Sequence, residues 1–99
     1  MILAIVDAVQ PEQIILFGSM ARGDATVESD IDLLVVEREG FATRSRWQEL
    51  QTIRKAIKRF RISKDILVYS QDEVRQWRSS LNHVVAIALR EGQLLYERP

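Results

Sequence analysis

The sequence contains no cysteine and only one histidine, and this shortage narrows the chemistry open to it. Disulfides and thiolate metal sites are excluded, and His83 has no second histidine with which to share a metal, so we expect it to be structural. No apolar segment approaches the length of a membrane span, and Asp7 interrupts the apolar N-terminal segment too early for a secretory signal. These absences predict a cytoplasmic protein without membrane association.

Neither sign of charge dominates, because fourteen basic residues balance fourteen acidic ones. A balanced chain does not attract nucleic acid in bulk, so no direct nucleic-acid binding is expected. A local exception is the segment RKAIKRFR at residues 54–61, which holds five basic residues and no acidic one. We interpret it as the solvated face of a helix. The alternative is a docking surface for an acidic partner or for RNA bound to that partner.

The spacing of apolar residues predicts a mixed α/β (α+β) fold in a single domain of residues 1–99. The hydrophobic fraction of 46% is sufficient for one core. Helices are expected to pack on a small mixed sheet of three to four strands. The predicted strands are 13–17, 31–37, 65–69 and an edge strand at 93–97, and the predicted helices are 2–9, 43–60, one capped by Ser70 and Glu73, and one that resumes after Asn82 and ends at Gly92.

Two tryptophans fall on the apolar stripes of predicted helices. Trp47 begins the stripe of the longest helix, Thr43–Phe60, and Trp77 belongs to the helix that Ser70 caps. We predict that both are core residues. One of them is instead an interface anchor in the alternative interpretation, since tryptophan is enriched at interfaces.

The segment LFGSMARGDATVESDIDLLVV at residues 16–36 places two acids at the start of a buried strand. Residues i and i+2 of a strand share a face, so Asp30 and Asp32 point the same way, and Asp65 begins the next strand. Two like charges about 4 Å apart repel by roughly 4 kcal/mol at an effective dielectric constant near 20. Carboxylate oxygens are ligands that magnesium prefers, so we predict that the three acids hold two Mg²⁺ ions.

The turn before this strand has the residue types of a phosphate site. Gly18 permits close approach of the backbone to a ligand. Ser19 begins a short helix, and its hydroxyl and the nearby amides can hold phosphate oxygens. Arg22, one turn later, can add a charge-assisted contact, although it is also compatible with a simple surface role. We therefore predict that Gly18, Ser19 and Arg22 bind a nucleotide triphosphate.

Gly18-Ser19, ten residues and then Asp30-Ile31-Asp32 resemble the signature of the DNA polymerase beta-like nucleotidyltransferase superfamily. GSMARG followed by SDIDLLV is similar to its minimal nucleotidyltransferase (MNT) branch. The resemblance implies the nucleotidyltransferase fold, with magnesium as cofactor and ATP as substrate. It also implies that Asp30 and Asp32 are metal ligands and that Asp65 completes the site and helps to deprotonate the acceptor.

Many proteins of the MNT branch are paired with a helical HEPN ribonuclease toxin. The resemblance therefore implies an antitoxin of a type VII-like toxin–antitoxin system, which transfers AMP from ATP to a tyrosine of its HEPN toxin. Two alternatives stay open. The first is a nucleotidyltransferase subunit that modifies a small hydroxylated molecule such as an aminoglycoside, and the second is a non-catalytic cover for the active site of a partner.

Overall fold

The computed structural model describes residues 1–23, 30–38 and 45–99, and Ser19 and Met20 by their backbone only. Pro11 and Gly18 border the first strand, while serine caps begin the third and fourth helices. In this part of the chain, no helix has the length and apolar character needed to cross a membrane. The elements are α1 (Ile2–Val9), β1 (Gln13–Phe17), α2 (Ser19–Arg22), β2 (Ile31–Glu37), α3 (Arg46–Ala56), β3 (Lys64–Ser70), α4 (Gln71–Trp77), α5 (Val84–Glu91) and β4 (Gln93–Glu97).

The strands form one mixed sheet in the order β3-β2-β1-β4. The central strand β1 is antiparallel to both β2 and β4, whereas β2 and β3 are parallel. A parallel pair needs a crossover connection, and α3 lies in it. The predicted mixed α/β fold, with a small sheet of three to four strands, is confirmed, and the sheet has four strands.

The two faces of the sheet bury different helices. On one face, Leu33 and Val35 of β2 belong to a cluster that includes Ile5 of α1 and Ile53 of α3. On the other face, Leu34 and Val36 cluster with Ala88 of α5. Alternate residues of β2 are therefore buried on opposite sides, and this explains why its sequence is a continuous apolar run. Asp32 precedes this run on the α5 side.

The third helix is shorter than predicted at both ends. It spans Arg46–Ala56 instead of Thr43–Phe60, and Thr43 lies outside the described residues. At its start, Ser45 and Gln48 form a capping box that the sequence analysis missed. At its end, Ile57 leaves the helical conformation and a turn leads to β3, where the Lys64 ammonium donates to the carbonyls of Phe60 and Ile62. The chain reverses here because β3 must run parallel to β2.

The prediction that both tryptophans are core residues is wrong. Trp47 is 64% exposed, because the buried side of α3 is centred on Glu49 and Ile53, and two residues correspond to about 200° around a helix. Trp77 is 36% exposed and stacks on His83, with the ring centroids 4.5 Å apart. His83 has the expected structural role, since its Nδ1 accepts a hydrogen bond from the Val85 amide and caps α5.

Candidate active site

Three carboxylates occupy the end of the sheet at which β2 and β3 begin. Asp32 is the register partner of Asp65 across the parallel pair, and neighbouring partners project from the same face. Asp30 precedes β2 by one residue, so it lies at the same end. On its other side Asp32 pairs with Phe17, the last residue of β1. The register therefore brings the sequence-predicted acids to one end of the sheet, next to the Gly18 turn.

Asp32 is the electrostatic centre of this group. Partial burial is the main cause that raises the pKa of its carboxyl group above the ordinary value of 3.8, and the charges of Asp65 and Asp30 raise it further. Arg22 acts in the opposite direction but does not cancel these effects. The folded chain therefore disfavours the ionised form of Asp32. A bound cation would reverse that preference, because it compensates the repulsion among the acids.

The Gly18 turn lies directly against Asp32. Gly18 has φ +75°, and a Cβ atom built on it would lie 2.2 Å from Oδ2 of Asp32. Its carbonyl accepts hydrogen bonds from the amides of Ala21 and Arg22, both at 3.1 Å, which begins α2. Glycine is thus required here for both backbone conformation and space, and the turn forms a cradle that a side chain would fill.

The other two predicted nucleotide ligands lie on α2. Ser19 is its first residue, while the Ser19 hydroxyl lies outside what the structure describes. Arg22 is exposed at its end, with Nη1 3.9 Å from Oε1 of Glu91 at the end of α5. The sequence analysis did not propose Glu91 as a site neighbour. No local signal could have found it, because only the packing of α5 brings it to residues almost seventy positions earlier.

The acids fit a magnesium site by the chemistry of their donors. All three offer hard carboxylate oxygens, and burial, followed by the charges of the neighbouring acids, raises the pKa of Asp32, as expected where like charges are only partly compensated. Across residues 1–23, 30–38 and 45–99, however, no three His, Cys, Asp or Glu side chains converge as a complete metal site. Asp30, Asp32 and Asp65 would therefore have to move closer together to share an ion.

This site lies in a chain that matches a known family almost end to end. The nucleotidyltransferase domain family matches residues 2–95. The chain belongs to the nucleotidyltransferase domain family. Membership confirms the predicted superfamily and supports the prediction of a transferase. A relative from Methanocaldococcus jannaschii, named "Putative protein adenylyltransferase", is 40% identical over 57 residues. The match covers 58% of this chain and 54% of the relative, so it spans about half of that protein.

Solved structures show the same nucleotidyltransferase fold. A protein from Sulfolobus solfataricus described as a putative nucleotidyltransferase has a TM-score of 0.60 at 20% identity, over 98% of this chain and 86% of that chain. A structure described as a toxin–antitoxin with AMP-PNP has a TM-score of 0.59 at 23% identity, over 98% of this chain and 71% of that chain. At these identities the similarity establishes the fold alone.

Proposed function

We propose that this nucleotidyltransferase is a magnesium-dependent protein adenylyltransferase that acts as the antitoxin of a HEPN/MNT pair. In this proposal it transfers AMP from ATP to a tyrosine of a HEPN ribonuclease toxin in the cytoplasm. The observation that carries the proposal is the placement of Asp32 between Asp65, its register partner, and the backbone of Gly18. Two similarities support it, namely the relative named as a protein adenylyltransferase and the toxin–antitoxin structure that contains AMP-PNP.

The proposed chemistry assigns a role to each residue of the site. Asp30, Asp32 and Asp65 hold magnesium, which when bound neutralises phosphate charge and makes the α-phosphorus more electrophilic. The backbone of Gly18 and the hydroxyl of Ser19 hold the phosphates in place. Arg22, whose charge partly opposes the rise in the pKa of Asp32, adds positive charge at the same end of the sheet.

We assign to Asp65 the role of acting on the acceptor hydroxyl. The tyrosine oxygen attacks the α-phosphorus, the bond between the α-phosphorus and the bridging oxygen breaks, and pyrophosphate leaves. Asp65 accepts the proton of the tyrosine hydroxyl, or orients that hydroxyl for proton loss. Its position favours this role, because β3 is one of the two edge strands of the described sheet and Asp65 is exposed. An acceptor on another chain can reach it without crossing the sheet.

The decisive experiment compares the wild type with Asp65→Asn in the presence of a candidate partner, a small helical protein to be sought among the reading frames next to this gene. The amide keeps the size of the side chain but is a poor base and a poor magnesium ligand. We expect Asp65→Asn to bind the partner and to fail to transfer AMP. The readout is the mass of the partner after incubation with ATP and magnesium, with growth of cells that produce both proteins as the second readout.

A non-catalytic cover would give a different pattern. Protection of the cells would then follow complex formation, and Asp65→Asn would protect as well as the wild type. An unmodified partner together with full protection in both cases would refute the adenylyltransferase proposal. Transfer of AMP to an aminoglycoside but not to the partner would favour the small-molecule alternative.

A further inference from the structure

A basic surface lies at the C-terminal end of α3 and in the turn that follows it, outside the acidic site. It borders two shallow open grooves on this side of the molecule. We call it the basic patch and define it by five exposed side chains, those of Arg54, Lys55, Lys58, Arg59 and Arg61.

The charges of the basic patch are not neutralised within the described part of the chain. None of its five side chains forms an ion pair with another described residue, and the guanidinium of Arg59 lies 4.9 Å from the ring centroid of Phe60. No acidic residue lies between Glu49 and Asp65. The rest of the chain contains nine basic and fourteen acidic residues. The patch is therefore basic, while the rest of the chain has a net negative charge.

The turn that contains the patch is bonded to the strands that bear the site acids. The Ile31 amide, between Asp30 and Asp32, donates to the Ser63 carbonyl at 2.9 Å. Lys64, the neighbour of Asp65, donates to two carbonyls of the same turn. The patch therefore lies at the same end of the sheet as the three acids, on the α3 side, and has the opposite charge.

We propose that the basic patch docks an acidic segment of the protein whose hydroxyl is modified. The proposal rests on the function proposed above and adds the chemistry by which the partner is recognised. The three acids alone would repel an acidic partner. The patch, in contrast, attracts an acidic partner to the open side of β3. Once docked there, the partner presents its hydroxyl beside Asp65.

A protein segment fits this surface better than RNA does. Phe60, the aromatic residue within the patch segment, is half-buried, and the exposed ring of Trp47 lies about two helical turns before Arg54, so no exposed ring lies among the five basic side chains for a base to stack on. The chain as a whole has no net charge, whereas nucleic-acid binding depends on the summed neutralisation of many phosphates. Ile62 is 49% exposed between Arg61 and Ser63, and an apolar contact within a basic rim is typical of protein interfaces.

The test measures binding of a fluorescent decaglutamate peptide by anisotropy, with decauridylate RNA as the competing probe. Lys58→Glu/Arg61→Glu reverses two charges of the patch. The matched control, Arg75→Glu/Arg78→Glu, makes the same change in net charge at the end of α4. We expect the patch variant to bind the peptide about tenfold more weakly than the wild type, and the control to bind like the wild type. The affinity should fall as salt is added, because the contact is electrostatic.

Three results would overturn the proposal: equal losses in both variants, tighter binding of decauridylate than of decaglutamate, or no binding of the peptide by the wild type at low salt. Lys58→Gln/Arg61→Gln removes the two charges without reversing them, so its loss of affinity, in decades, should be about half that of Lys58→Glu/Arg61→Glu. This milder variant serves as a second test in case the charge-reversed protein does not fold.

Asp32→Asn separates this proposal from the proposed function. It should bind the peptide like the wild type while AMP transfer is lost. With the partner protein, Lys58→Glu/Arg61→Glu should raise KM for the partner and leave kcat unchanged. If the wild type itself transfers no AMP while peptide binding still depends on the patch, the adenylyltransferase proposal fails and the docking surface stands.

Discussion

The pKa values of two partly buried carboxyl groups, one at each end of β3, are shifted in opposite directions. Asp32, opposite the start of β3, has a raised pKa because burial and two acidic neighbours outweigh the help of Arg22. Glu73, just past the end of β3, is also partly buried, yet the pKa of its carboxyl group is lowered. There burial is outweighed by hydrogen bonds from the Ser70 amide and from the Arg46 guanidinium.

The two ends differ in whether groups of the same chain satisfy the carboxylate. The Glu73 end is a finished structure, in which a capping box and an arginine satisfy the carboxylate with groups of the same chain. The acid end leaves like charges together and thereby sacrifices stability. Such an arrangement is expected where a ligand supplies the compensating charge, and this is why the comparison points to function at one end and to folding at the other.

The largest expected effect is that of Asp32→Asn, which should lower AMP transfer by about a thousandfold while it raises stability at neutral pH. A raised pKa in the folded protein disfavours the carboxylate form. The loss of stability is therefore present at neutral pH and disappears as the pH falls below the ordinary value of 3.8. We expect the variant to have a higher Tm at neutral pH and an equal Tm in acid.

Thermal unfolding across this pH range checks the prediction, with Asp7→Asn on the exposed face of α1 as the control for the same loss of charge. A lower Tm at every pH would mean that Asp32 stabilises the fold, and the contrast between the two ends would be lost.

The second prediction tests the close contact of the glycine turn with Asp32. Gly18→Ala should lower the free energy of unfolding by about 3 kcal/mol, from backbone strain and overlap together. Gly23→Ala is the matched control, since Gly23 has φ +80° but, its chain neighbours aside, no other residue of 1–23, 30–38 and 45–99 has an atom within 4 Å of the added atom, and it should cost about 1 kcal/mol. Denaturant unfolding measures both values. Equal losses would show that the carboxylate of Asp32 moves aside without cost.

At the finished end, His83→Ala should cost about 1–2 kcal/mol without altering AMP transfer. It removes the cap of α5 and the ring stacked on Trp77. His83→Asn should recover part of this loss, because asparagine can still cap the helix. The check is denaturant unfolding combined with the transfer assay. A decrease in transfer at unchanged stability would mean that this end also contributes to the site.

The smallest expected effect is that of Glu73→Gln, about 0.5 kcal/mol at neutral pH. Glutamine preserves the capping box but loses the charge that faces Arg46, and both side chains are partly exposed to screening solvent. Since the pKa of Glu73 is lowered by folding, its stabilisation is present above the ordinary value of 4.5 and is lost as the pH falls through the folded value. The pH dependence of this difference should therefore be opposite to that of Asp32→Asn in the same unfolding experiment.

Much of the fold could be predicted from local sequence. β1 and β2 have the predicted bounds because turn residues border continuous apolar runs. The bounds of α3 could not be predicted, since Ile57 and Phe60 continue the apolar spacing after the helix has ended. The buried Glu49 explains the error at Trp47, because a charged residue hid the side of the helix that faces the core.

The residues of the candidate site could be predicted from the sequence, Asp65 included, but their exact pairing could be predicted only for neighbours in sequence. The face shared by Asp30 and Asp32 follows from the period of a strand. The pairing of Asp32 with Asp65 depends on the length of a crossover and on the register of two distant strands, which no local pattern specifies. Glu91 beside Arg22 depends in the same way on tertiary packing.

The central position of β1 has a consequence for synthesis of the chain on the ribosome. One neighbour of β1, β2, is made soon after it, but the other, β4, begins only at Gln93, which pairs with Leu16. At elongation rates of about 5–20 residues per second, one edge of the apolar strand β1 stays unpaired for roughly 4–15 s between the synthesis of β1 and that of β4. During that interval the nascent sheet exposes an edge prone to aggregation. Mutations in β4 should therefore lower the yield of soluble protein even where they lower the free energy of unfolding only slightly.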